Sequence, residues 1–94
     1  MTTLVINTEK TNERIVNEIN KFRLDNKNNW YEISLVYYDF NIHIKAFNTW
    51  LQIIRVYNGN SLYYNHSGPM DINSTKFKSI ILTMLVKLRY EPVR

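Results

Sequence analysis

The 94-residue chain has no cysteine, two glycines, two prolines and a single alanine, Ala46. Without cysteine it has no disulfide, no thiolate zinc ligand and no thiol nucleophile. With only Gly59 and Gly68 it cannot form a phosphate-binding loop or a dinucleotide fingerprint, and it has no G-x-S-x-G elbow. No apolar run reaches the roughly 18 residues needed to span a bilayer. Residues 1–7 lack the basic start and long apolar stretch of a signal peptide. These absences lead to the expectation of a cytoplasmic, non-enzymatic protein with no cofactor and no membrane partner.

What is present suits a globule. Hydrophobic residues make up 45% of the chain and charged residues 21%, enough to expect a packed core rather than disorder. The length fits one domain over residues 1–94, with residues 89–94 expected as a C-terminal tail because Pro92 blocks helix continuation. Asn (13), Ile (11), Lys (7) and Tyr (7) all have AT-rich codons, and together they dominate the composition. The gene is therefore expected to come from an AT-rich genome, such as that of a low-GC bacterium or its phage.

The formal net charge is +4. The excess lies mainly in residues 71–94, which hold Lys76, Lys78, Lys87, Arg89 and Arg94 against Asp71 and Glu91. A mild positive field attracts nucleic acid or an acidic protein surface.

The pattern along the chain predicts strand, helix, meander, helix. Leu4-Val5-Ile6 reads as a first strand. Thr8 or Thr11 can cap a helix over about residues 9–24, whose apolar side is Ile15, Val16, Ile19 and Phe22. Residues 30–64 switch to period two, giving strands around residues 30–38, 42–47, 50–57 and 62–64. Asn58-Gly59 is the clearest hairpin signal. Residues 65–69 are expected as a loop. Asn73 or Ser74 then caps a second helix that buries Phe77, Ile80, Ile81, Met84, Leu85 and Leu88. Leu82 and Val86 add apolar flank, so this helix is expected to be the more buried of the two. The fold class is α+β: a single domain with a β-α-β-β-β-β-α antiparallel meander sheet and both helices packed on one face.

Taking Phe40-Asn41, Asn48-Thr49 and Asn58-Gly59 as two-residue turns sets the register. Tyr37 then faces Ile44, Ile44 faces Ile53, and Ile53 faces Tyr64. One sheet face is nearly all apolar: Ile33, Leu35, Tyr37, Ile42, Ile44, Ala46, Leu51, Ile53, Leu62 and Tyr64. Arg55 is its exception, with its stem expected to pack and its head to reach the edge. The other face holds Ser34, Val36, Tyr38, His43, Lys45, Phe47, Trp50, Gln52, Ile54, Val56 and Tyr63. Such a broad aromatic and mixed face is a candidate binding surface.

Chemistry-bearing constellations are sparse. His43 and His66 show no metal-ligand spacing and read as surface imidazoles, so no metal site is expected. Ser67, His66 and Asp71 are sequence neighbours, an arrangement that rarely forms a triad. The carboxylates Glu32 and Asp39 fall on different parities. No catalytic residue is assigned. The expected contact residues are Tyr38, His43, Lys45, Phe47, Trp50, Gln52 and Tyr63 on the sheet, with Lys76, Lys78 and Lys87 on the second helix.

Two binding chemistries fit these residues. Aromatics on an open sheet can stack unpaired bases while Lys and Arg hold phosphates. The helix–strands–helix order over residues 9–88 resembles a double-stranded-RNA-binding domain. The chain departs from that pattern in carrying Asp39-Phe40-Asn41 where such domains have a Gly-Pro-x-His loop, and only Lys76 and Lys78 where they have a dense lysine cluster. Aromatics are also the side chains that anchor protein interfaces. In size, AT-rich bias, lack of catalytic motifs and α+β build, the chain resembles small phage-encoded inhibitors of host machinery, the anti-CRISPR proteins. That resemblance implies steric, stoichiometric inhibition of a host protein or ribonucleoprotein complex. A homodimer closing over the aromatic face is a further expectation.

Overall fold

The computed structural model describes residues 2–8, 10–67 and 72–90. The chain runs β1 (Thr2–Asn7), α1 (Asn12–Asp25), β2 (Tyr31–Val36), β3 (Asn41–Phe47), β4 (Trp50–Tyr57), β5 (Asn60–Ser67) and α2 (Ser74–Tyr90). The five strands form one sheet in chain order. Both helices pack on the same face of it, as the alternation of apolar residues requires.

The helices start where their caps dictate. The Arg14 amide donates to the Thr11 hydroxyl at 3.3 Å, so α1 begins after Thr11. The Lys76 amide donates to Asn73 Oδ1 at 2.8 Å and fixes the start of α2. Ile15, Val16 and Ile19 of α1 meet Phe77, Ile81, Leu85 and Leu88 of α2 over Ile33, Leu35, Ile42, Ile44, Ala46, Leu51 and Ile53 of the sheet. Lys78 Nζ to Asn17 Oδ1 (3.4 Å) and Arg89 Nη1 to Asn12 Oδ1 (2.6 Å) tie the two helices at their solvent rims.

Three expectations about the sheet are corrected. First, β1 does not join an all-antiparallel meander. It pairs parallel to β2, from Thr2 opposite Tyr31 to Asn7 opposite Val36. The intervening helix returns the chain to the same end of the sheet, and parallel neighbours need such a crossover. Second, the β2–β3 turn is longer than two residues. Ile33, not Tyr37, faces Ile44, and the chain turns over residues 37–40, with the Tyr37 amide donating to the Phe40 carbonyl at 3.0 Å. The Tyr37 and Phe40 rings stack across this loop at 4.7 Å. The shift is four residues along β2, an even number, so every strand residue keeps its expected face. Third, β5 continues through Asn65, His66 and Ser67, where a loop was expected. The remaining registers, Ile44 with Ile53 and Ile53 with Tyr64, are as the two-residue turns require.

The ends of α2 also differ from expectation. The helix continues through Arg89 and Tyr90 rather than giving way to a tail at residue 89, and residues 91–94 lie outside the described residues. Leu82 and Val86 are exposed, so α2 is not buried on all sides. Arg55 is 3% exposed: its head does not reach the edge but turns under α2, where Nη1 donates to the Leu88 carbonyl. Asp71, part of the conceivable Ser67-His66-Asp71 group, falls outside the described residues, as do Gly68 and Pro69.

Candidate functional site

The sheet face opposite the helices is organised in cross-strand rows, because paired residues in adjacent strands share a face. The central row runs Val5, Ser34, His43, Ile54, Tyr63. Beside it runs Thr3, Glu32, Lys45, Gln52, Asn65. On the far side lie Asn7, Val36, Asn41, Val56 and Ser61. Phe47 and Trp50 face each other at the mouth of the β3–β4 turn and close the end of the face. Both helices lie on the other side, so among the described residues no element covers this surface.

Its aromatic end is a three-ring cluster. Trp30, the residue immediately before β2, stacks on Phe47 with centroids 5.3 Å apart and planes at 19°. It meets Trp50 edge-on at 5.6 Å and 64°. Trp30 is 48% exposed, so the cluster presents ring surface to solvent while holding its own shape. Trp30 was not among the expected contact residues. It lies on the same parity as Glu32 and Ser34, and that parity is the signal that would have found it. β1 adds Thr3, Val5 (62% exposed) and Asn7 to the face, all unforeseen, since nothing in the sequence places β1 beside β2.

The polar rows are internally paired. Lys45 Nζ lies 3.9 Å from Glu32 Oε1 across the β2–β3 ladder. Ser34 Oγ and His43 Nδ1 are 3.2 Å apart. Among the described residues of this face, Lys45 is the only Lys or Arg. Tyr63, 58% exposed, stands at the β5 end of the central row. Gln52 sits between Lys45 and Asn65.

The structure brings His43, Lys45, Phe47, Trp50, Gln52 and Tyr63 together as expected, but not the rest. Tyr38 is displaced from the face by the longer β2–β3 loop and is fully exposed there. It lines a depression of about 640 Å³ with Asn7, Thr8, Lys10, Arg14, Val36 and Tyr37. Lys76, Lys78 and Lys87 belong to α2, in the layer behind the sheet. Lys78 points to Asn17, and the Lys87 ammonium sits 4.9 Å over the Tyr64 ring. One partner surface cannot touch these lysines and the aromatic sheet face at once without wrapping around the domain.

The two histidines are also separated by the sheet. His43 is on the open face, whereas His66 pairs with Leu51 on the helix-covered face. Among the described residues no three His, Asp or Glu side chains converge as metal ligands. Among the described residues no helix is long and apolar enough to cross a membrane. A second groove of about 480 Å³ lies between β1 and α1, with Leu4, Ile6 and Phe22 lining it and Lys10, Glu18, Lys21 and Asp25 among its charged groups. Lys10 is bound to Glu18 there at 2.6 Å.

The chain matches no known protein family, no curated protein sequence and no solved structure.

Proposed function

We propose that the protein is a stoichiometric, non-enzymatic binding protein that docks a protein partner on the open face of its sheet. The observation that carries this reading is the exposed Trp30–Phe47–Trp50 cluster at the end of a face that neither helix covers. Fixed aromatic rings lose little side-chain entropy on binding, and large ring surfaces supply most of the energy at protein interfaces. In its sharpest form the partner is a nuclease complex of a host defence system of the CRISPR–Cas type, and the chain is a phage-encoded inhibitor acting in the host cytoplasm by occlusion alone. The AT-rich composition and the small α+β build support that form.

Nucleic acid fits this face less well. Phosphate contacts need cations beside the stacking rings. Here Lys45 is engaged by Glu32, and the lysines of α2 lie on the other side of the domain.

The deciding experiment compares wild type with a Trp50→Ala/Phe47→Ala double variant in capture from host lysate, with and without nuclease, after circular dichroism has shown both to be folded. A protein recovered in fixed ratio, retained after nuclease and lost in the variant, is the expected result. The same protein should then be blocked in its own activity by wild type at molar equivalence. Recovery of nucleic acid alone, released by nuclease and by moderate salt, would replace this reading with the nucleic-acid one.

A further inference from the structure

We infer that β5 is a self-association edge, and that two copies of the chain pair through it antiparallel about a two-fold axis, joining their sheets into one. This inference does not depend on which partner the open face binds.

β5 is the last strand of the sheet, and among the described residues no main chain pairs with its outer side. Exposed edges are usually guarded by Lys, Pro, a bulge or a covering element. Asn60–Ser67 has the sequence NSLYYNHS, with no Pro and no Asp, Glu, Lys or Arg. Its pairing with β4 is unbroken from Tyr57–Asn60 to Trp50–Ser67, so no bulge bends it away. The opposite edge is different: the groove beside β1 is ringed by Lys10, Glu18, Lys21 and Asp25. The strand itself carries no charged side chain on a chain of net charge +4. The cation beside it is Lys87 of α2, whose ammonium lies 4.9 Å over the Tyr64 ring on the helix-covered face.

The register follows from the hairpin. Asn58 and Gly59 have φ of 47° and 81°, the signature of a type I′ turn, which closes with hydrogen bonds between Tyr57 and Asn60. Antiparallel pairs alternate between bonded and non-bonded. Leu62, Tyr64 and His66 therefore direct their main-chain groups inward to β4. Ser61, Tyr63, Asn65 and Ser67 direct theirs outward. A two-fold axis at Tyr64 is the one placement in which these four pair entirely among themselves: Ser61 with Ser67 of the second copy, and Tyr63 with Asn65. Side chains stay on their own faces in that arrangement. The half-buried Leu62, Tyr64 and His66 then gain cover from their counterparts, and the two open aromatic faces become continuous.

Analytical ultracentrifugation of the full chain should give twice the 11.3 kDa monomer mass at micromolar concentration. Asn65→Pro removes an outward N–H without touching the β4 ladder, and Asn65→Lys places a charge on the edge. Each variant should sediment as a monomer with an unchanged circular dichroism spectrum. The chain lacks cysteine, so single substitutions read the register cleanly. Tyr64→Cys should cross-link to its copy under mild oxidation far more completely than Ser61→Cys, because only the former lies on the axis. A wild type that stays monomeric up to millimolar concentration overturns the inference. So does a dimer that survives Asn65→Lys and is lost in Trp50→Ala, which would place the contact on the open face instead.

Discussion

The Arg55 guanidinium donates a hydrogen bond to the main-chain carbonyl of Leu88, joining the centre of β4 to the last turns of α2. The group is almost fully buried and also lies 5.6 Å over the Phe40 ring. A helix C-terminus carries exposed carbonyls and partial negative charge, so a cation there completes the hydrogen bonding and favours the dipole. The long arginine stem fills core space that an aliphatic residue would otherwise occupy. Arg55 is thus a structural pin between the layers, and its occurrence on an apolar face is no sign of a site.

That role is measurable. Arg55→Ala removes a charge-assisted bond worth about 1.5–3 kcal/mol and leaves a cavity besides. Thermal unfolding should show a melting temperature lower by more than roughly 8 °C. Arg55→Lys should recover part of the loss, since it keeps the charge but not the planar fork. A melting temperature unchanged in Arg55→Ala would show that the bond does not hold the layers together.

Which parts of this architecture were readable in the sequence has a physical pattern. Asn48-Thr49 and Asn58-Gly59 are tight turns with no slack, so counting outward from them places Ile44, Ile53 and Tyr64 opposite one another as observed. The β2–β3 loop has no such signal. Period two cannot distinguish a slip of two or four residues: it fixes the face of each strand residue but carries the strand on over Tyr38, which lies beyond the end of β2 at Val36. Both the parallel docking of β1 and the seating of Arg55 under Leu88 depend on contacts distant in sequence, which local alternation does not encode. The lysines of α2 differ: an α+β fold with both helices over the apolar face already puts Lys76, Lys78 and Lys87 on the side away from the aromatic face, so grouping them with it joins two opposite sides of the domain.

Tyr31 should make stability fall at high pH. Its phenol is 3% exposed, and burial pushes its pKa up to about 12 from the usual 10.0, with the Arg23 charge opposing part of the rise. Between those values the unfolded chain loses the proton while the folded chain keeps it. The unfolded state then binds fewer protons, and stability declines as pH rises. The contribution is complete below pH 10 and is lost toward pH 12. Two units correspond to about 2–3 kcal/mol. Denaturant unfolding of wild type and Tyr31→Phe from pH 9 to 12 should show a steeper loss in wild type. Parallel curves would refute the assignment.

The β4–β5 turn gives a prediction in which backbone and packing separate. Gly59 has φ of 81°, yet a Cβ built there meets nothing within 4 Å. Any penalty for Gly59→Ala is therefore conformational strain and not a clash. It should cost about 1–2 kcal/mol, lowering the melting temperature by roughly 5–15 °C. Asn58→Gly, at φ 47°, is the matched control and should change little. Equal melting temperatures for wild type and Gly59→Ala would mean that the turn relaxes to another type, and with it the register of β5.

The aromatic cluster should separate binding from folding. Trp30 is half exposed and touches Phe47 and Trp50 rather than the core. Each ring pair is worth about 0.5–1.5 kcal/mol beyond its buried area, whereas truncating a fully buried residue such as Ile53 costs about 2–5 kcal/mol. Trp30→Ala should therefore unfold at slightly lower urea with an unchanged slope, while losing the partner as completely as the Trp50→Ala/Phe47→Ala variant. Ile53→Val gives the converse check: a comparable loss of stability with capture intact. If Trp30→Ala and Ile53→Val reduced capture equally, the effect would follow stability, and the cluster would belong to the fold alone.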